Sequence, residues 1–149
     1  MKAWTTLFVV GMFATAVTLA DDVDDVKVAV QSYFDAINSG NAAGVARHRI
    51  PEYSVFVGGG LIDRSSSIAQ QRDDFQALTD TGRKLDLRIQ HLEVRIYGNA
   101  AVVTGYVTGT NTALDGTVAR SRQQRTGVWI KQGGQWKEVH RHASPLFPQ

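Results

Sequence analysis

The stretch RTGVWIKQGGQWKEVHRHAS, from Arg125 to Ser144, decides the fold. Its first part, through Trp129-Ile130-Lys131, is rich in β-branched and aromatic residues. Gly133-Gly134 supplies the positive φ angles that a two-residue hairpin turn requires. Trp136, His140 and His142 then recur at period two, as on one face of a strand. The same parity puts Glu138 on that face. It groups Arg141 with Ala143 on the other face, and Arg125 with Gly127 on the first strand. We expect the histidines to face outward and the arginines to face the interior.

Upstream of the hairpin the same alternation continues. Leu85, Leu87 and Ile89 alternate with polar residues. After Gln90-His91 the phase flips, and Leu92, Val94 and Ile96 carry the apolar face, which predicts a β-bulge and a bend. Gly98-Asn99 is a hairpin turn, Ala100 to Thr112 returns as a strand, and Asp115-Gly116 turns again into Val118 to Lys131. Trp136 to Ser144 completes the meander, which Pro145 and Pro148 end.

The N-terminal half is helical. Val26, Val30, Tyr33, Phe34 and Ile37 form one stripe of a helix over Asp22–Ser39, with an acidic cluster at its start and Gly40 at its end. Asn41 caps a short helix over Ala42–His48, stopped by Pro51. Tyr53–Val57 reads as a strand broken by Gly58-Gly59-Gly60, a bend that lacks the Lys-Ser/Thr of a phosphate loop. Ser65–Leu78 is a serine-capped helix with Ile68, Phe75 and Leu78 inward, closed by Gly82. Four consecutive long strands leave no place for helical crossovers. The fold class is therefore α+β: a cone-shaped, strongly bent antiparallel sheet wrapped around a long N-terminal helix plus two shorter helices, with a pocket between sheet and helices.

Composition narrows the function. Of 149 residues, 43% are hydrophobic and 20% charged, and 16 basic residues nearly balance 14 acidic ones, so nothing resembles a nucleic-acid footprint. Residues 1–20 combine Lys2, an apolar run from Leu7 to Leu19 and Thr18-Leu19-Ala20, the pattern of a secretory signal peptide. The expected mature chain is one domain over residues 21–149, periplasmic or secreted, with no membrane segment after cleavage. The absence of cysteine excludes disulfides, thiol catalysis and thiolate metal sites.

The element order and three motifs resemble the nuclear transport factor 2-like superfamily, within it the SnoaL-like group and the association (hub) domain of calcium/calmodulin-dependent protein kinase II. The motifs are Ala36-Ile37-Asn38-Ser39-Gly40-Asn41, Tyr97-Gly98-Asn99-Ala100-Ala101, and Thr126 through Ser144 with its T-x-V-W, G-x-W and V-H-x-H-x-S elements. The resemblance implies the cone and self-association through the outer sheet face, as a homodimer or higher homo-oligomer. It does not imply one activity.

Tyr33 matches the oxyanion-donating tyrosine of ketosteroid isomerases. The general-base position falls near Val57 and the second donor near Thr126 or Gly127, so that acid/base set is missing. The hub domain's basic pocket positions correspond to Val107, Gly127 and Ala143, all uncharged. Arg125 and Arg141, two residues away on the same faces, offer a substitute carboxylate site. His140 and His142 have a ligand-like spacing but no third partner, so no metal is expected, and no cofactor is implied. Outward histidines between protomers suggest pH-sensitive association.

The reading is an exported small-molecule-binding domain whose pocket takes an anionic, apolar ligand. Its ligand-binding residues are Tyr33 deep in the pocket, Trp129 with Val139 on a wall, and Arg125 and Arg141 at the charged end. The alternatives are a cofactor-free SnoaL-like isomerase, cyclase, dehydratase or hydrolase, with a base among Asp35, Asp63, Glu93 and His91, or a purely structural oligomerisation module.

Overall fold

The computed structural model describes residues 14–56, 62–64 and 67–146. The leader read at residues 1–20 lies outside the described residues up to position 13. The glycine bend at 58–60, the isomerase base position Val57, and Pro148 lie outside them as well.

Helix α1 spans Ala14–Asn38, longer at its start than the periodic stripe suggests, because no glycine or proline interrupts it there. The acidic cluster at Asp21–Asp25 therefore sits inside the helix and not in its first turn. Val26, Val30, Tyr33, Phe34 and Ile37 form its buried stripe as expected. Helix α2, Ala42–Arg47, is capped by the Asn41 side chain, which accepts from the Gly44 N–H, and ends at His48. Helix α3, Ile68–Asp80, is capped by Ser67, and its one buried residue is Gln71, whose amide donates to the Ile50 and Pro51 carbonyls. No helix of the described residues is long and apolar enough to cross a membrane.

Six strands form one sheet in the order β2-β1-β6-β5-β4-β3. They are β1 (Arg49–Phe56), β2 (Ile62–Arg64), β3 (Lys84–Tyr97), β4 (Ala100–Thr112), β5 (Val118–Gln132) and β6 (Gln135–Pro145). The meander from β3 to β6 is antiparallel, but β1 pairs with β6 in parallel. β1 starts four residues before the expected Tyr53 and carries Pro51 within it. The short β2 has no counterpart in the sequence reading.

The predicted bulge in β3 is present: the register with β4 shifts between Gln90 and Glu93, where His91 takes a φ of 51°. Gly133 and Gly134 have φ of 58° and 75°, which fits a type I′ turn between β5 and β6. A second bulge was not anticipated. Trp129 faces Glu138, but its neighbour Val128 faces His140, so Val139 is the extra residue in β6. Strict alternation fails there. Trp136 and Glu138 point inward, at 4% and 0% exposure, whereas His142, two bonds of the ladder later, is exposed. The grouping of Trp136 and Glu138 with the outward histidines is thus corrected. One inserted residue lets β6 present Trp136, Glu138, Arg141 and Ala143 to the inside.

Deleting Val139 restores a single phase and forces either Glu138 or Arg141 to the outer face. The expected outcome is loss of a cooperative unfolding transition in thermal circular dichroism, with destabilisation of at least about 3 kcal/mol from the broken buried ion pair.

Candidate functional site

The inner face of the sheet gathers an ionic cluster beneath α1. Tyr33, from the helix stripe, is fully buried. Its hydroxyl oxygen accepts from Arg49 Nη2 at 2.7 Å and from Arg141 Nη1 at 3.1 Å. Arg125 Nη2 donates to Glu138 Oε1 at 2.6 Å, and both side chains are buried, at 6% and 0% exposure. The Arg125 guanidinium lies 5.0 Å from the Tyr33 ring centre and 5.2 Å from that of Phe34. Arg49 lies 4.4 Å from the Tyr53 ring.

Backbone geometry brings these groups together. Arg49 begins β1 directly opposite Glu138 in the parallel ladder, and the Glu138 N–H donates to the His48 carbonyl at 2.7 Å. Gly127 makes the room. A Cβ there would meet Glu138 Oε1 at 2.7 Å and Trp129 Nε1 at 3.0 Å. The absence of a side chain at Gly127 thus leaves space for the buried carboxylate.

Three guanidinium groups face one carboxylate, which leaves an excess of positive charge in a region of low dielectric. Several polar atoms in the cluster lack a protein partner among the described residues: Tyr53 Oη, Glu138 Oε2, Arg49 Nε and Arg141 Nε. Burial alone would push the Tyr33 phenol up, but Arg49, Arg141 and Arg125 together outweigh it and hold it down at about 8. Burial drives the Tyr53 phenol well above its ordinary range, with Glu138 adding to it. Burial opposes the charge of Arg141, yet Tyr33, Tyr53 and Glu138 keep it more firmly protonated than a free guanidinium.

A cavity of about 180 Å³ opens onto this cluster. Arg125 and Arg141 supply its polar side, and Phe34, Val55, Val107 and Ala143 supply apolar wall. Two hollows of about 390 Å³ elsewhere are larger, but neither is lined by Arg141. One lies between α1 and the β5–β6 turn, beside Ser32, His48 and Trp136; another lies on the outer sheet face beside His91 and Tyr106. We place the candidate site at the smaller cavity because buried, incompletely partnered charge faces it.

The structure brings Tyr33, Arg125 and Arg141 together. Trp129 is in the core at 1% exposure and is not among the cavity-lining residues. Val139 is the bulge residue and does not line the cavity either. Arg125 is tied to Glu138, so Arg141 is the arginine less committed to a carboxylate. Of the four candidate bases, Asp35, Glu93 and His91 are exposed and away from this cavity; the Asp63 side chain lies outside the described residues. Arg49, Glu138 and Tyr53 are the functional residues the sequence reading missed. No periodicity marks Arg49, which follows a helix end, and nothing in the sequence announces the bulge that turns Glu138 inward. His140 and His142 are outward: His140 Nδ1 is 2.9 Å from Ser54 Oγ, and both rings stand edge-on to Phe56. No metal-binding group of three or more histidines or carboxylates occurs among the described residues.

A bent sheet cupped around an amphipathic helix, with its polar cluster on the concave face, defines the nuclear transport factor 2-like class. The chain belongs to the calcium/calmodulin dependent protein kinase II association domain family, whose model matches residues 22–146. Among solved structures it is similar to the association domain of C. elegans CaMKII, at 23% identity and a TM-score of 0.68, covering 85% of this chain and 98% of that one. The CaMKII hub of S. rosetta aligns at 20% identity and 0.65, covering 83% and 96%. A ketosteroid isomerase-like protein from Erwinia carotovora atroseptica aligns at 17% and 0.69, covering 86% and 98%. No curated protein matches the chain.

His48 flanks the cluster, 6.3 Å from the Tyr33 ring centre and 3.1 Å from Ser32 Oγ. Burial, reinforced by Arg47, pushes its imidazole down from 6.5 to about 4. The unfolded chain therefore binds the proton first, and stability is lost as pH falls from about 6.5 towards about 4. Urea unfolding across that range is expected to show a smaller acid loss in His48→Gln than in the parent.

Proposed function

We propose that this is an exported domain that binds a small, largely apolar carboxylate in the cavity above Arg141. The observation that carries the reading is the half-buried Arg141 guanidinium, beside the buried Arg125–Glu138 pair, facing an apolar-walled cavity. A guanidinium recognises a carboxylate with paired, directional N–H donors, and a desolvated one gains most from an anion. Arg141 is the contact residue in this reading, Arg125 lines the cavity beside it, and Tyr33 holds Arg141 from behind the cavity wall. Export rests on the leader pattern of residues 1–20.

Self-association is the second part of the proposal. The family match and the hub among the similar structures support it, and so does the aromatic outer face. Phe56, Tyr97 and Tyr106 are 37%, 62% and 44% exposed there. On this reading the assembly presents several cavities per particle.

Thermal-shift measurements on the secreted protein with short-chain carboxylates test the ligand. At a concentration about a hundredfold above Kd, stabilisation is expected to approach about 2.7 kcal/mol, and Arg141→Ala is expected to abolish it. No response to any carboxylate, or an equal response in Arg141→Ala, overturns the reading. For assembly, sedimentation is expected to give a multiple of the protomer mass for the parent and a reduced mass for Tyr106→Asp. A monomeric parent removes this part. Mass spectrometry of secreted protein starting at Asp21 tests export.

A further inference from the structure

The Tyr33 hydroxyl is in an unusual position for a phenol. Two guanidinium N–H groups donate to its oxygen, at 2.7 and 3.1 Å, a third guanidinium sits 5.0 Å from its ring centre, and the residue has no exposure. Among the described residues it donates to no acceptor, so its own proton is left without a partner while its oxygen is doubly solicited. This arrangement fits a phenolate better than a phenol: hydrogen bonds to the charged form favour that form, and so do nearby opposite charges.

Every element packed around the hydroxyl contributes. β1 presents Arg49 and Tyr53, β5 presents Arg125, β6 presents Arg141 and Glu138, and the end of α2 presents His48. Of these, Glu138 opposes ionisation, and Arg125 shields that opposition by pairing with it. Tyr53 is pushed up and stays neutral, so Tyr33 is the one phenol of the cluster placed to become an internal anion.

The same Arg141 that holds the Tyr33 oxygen also lines the cavity. We propose that Tyr33 is a proton-gated internal counter-ion: its phenolate and an incoming carboxylate are alternative anions for the Arg49–Arg141 pair, so ligand binding is coupled to uptake of a proton at Tyr33 Oη. This rests on the carboxylate reading above and adds its regulation. When the ligand enters, its carboxylate draws on Arg141, the phenolate loses part of its stabilisation, and a proton from solvent completes the phenol. In the free protein above about pH 8 the phenolate supplies the missing negative charge. Affinity therefore falls as pH rises through the Tyr33 ionisation, although a simple carboxylic acid is fully ionised throughout that range.

Butyrate is a suitable probe. Ultraviolet titration of tyrosinate on the intact protein is expected to show a one-tyrosine step near pH 8, absent in Tyr33→Phe and moved upward by saturating butyrate. Calorimetry is expected to give a Kd for butyrate that weakens roughly threefold to tenfold between about pH 6.5 and about pH 9 in the parent, and much less in Tyr33→Phe. If that variant does not fold, the parent alone decides. Binding heats at about pH 8.5 in two buffers of different ionisation enthalpy report net proton uptake if the coupling exists. Butyrate binding with pH-independent affinity and no proton uptake overturns the coupling and leaves the carboxylate reading intact. No butyrate binding at either pH overturns both for this ligand class, whatever the tyrosinate titration shows.

Discussion

Glu138 is fully buried, and its pairing with Arg125 is the contact on which the interior of the cone depends. Removing two ions from water is costly, and only close mutual approach with further hydrogen bonding offsets it. Here the approach is 2.6 Å, and the second carboxylate oxygen has no protein partner among the described residues. That pair allows Arg49 and Arg141 to lie half-buried nearby, because it keeps a third cation from adding uncompensated charge. It also limits the rest of the sheet. Gly127 must stay without a side chain, and β6 must change phase between Glu138 and Arg141 so that both can face inward.

The apolar core and the ionic cluster divide the labour along α1. Val26, Val30 and Phe34 belong to a continuous hydrophobic cluster with Val103, Trp129 and Trp136. Burial of this kind contributes roughly 25 cal/mol per Å² of apolar surface and needs no particular geometry. Tyr33 lies in the same stripe and has the same burial, but it turns a hydroxyl toward the arginines. The helix thus closes the core, supplies apolar cavity wall through Phe34 and Ile37, and holds Arg141 through Tyr33. Fold and site share one element, so the cavity inherits the rigidity of the core.

Family membership supplies the architecture and leaves the chemistry to particular residues. At the inner-face positions Val107, Gly127 and Ala143 this chain carries no charge, and Val107 and Gly127 are buried. Its positive charge enters from neighbouring positions on β5 and β6 and from the start of β1, and it comes with a carboxylate and two tyrosines. Similarity at or below 23% identity carries the fold only. What the pocket prefers depends on this local set.

Much of the fold was legible in the sequence because it is written in periodicity. The 3.6-residue stripe of α1, the phase flip at Gln90-His91 and the Gly133-Gly134 turn are local signals with local causes. Parity also brought Arg125 and Arg141 to the inner face, beside a Tyr33 read from the helix stripe. The remainder was decided in three dimensions. The bulge at Val139 arises from how β6 must serve two neighbours, β5 in antiparallel and β1 in parallel, and no residue type announces it. Arg49 and Glu138 are 89 positions apart and meet only because β1 docks on β6. Sequence alone determined the apolar stripe of α1 and the apolar face of β3 on both sides of its bulge. Tertiary structure decided which charges are buried together, because the electrostatic cost of a charge depends on its neighbours in space and not on its neighbours in the chain.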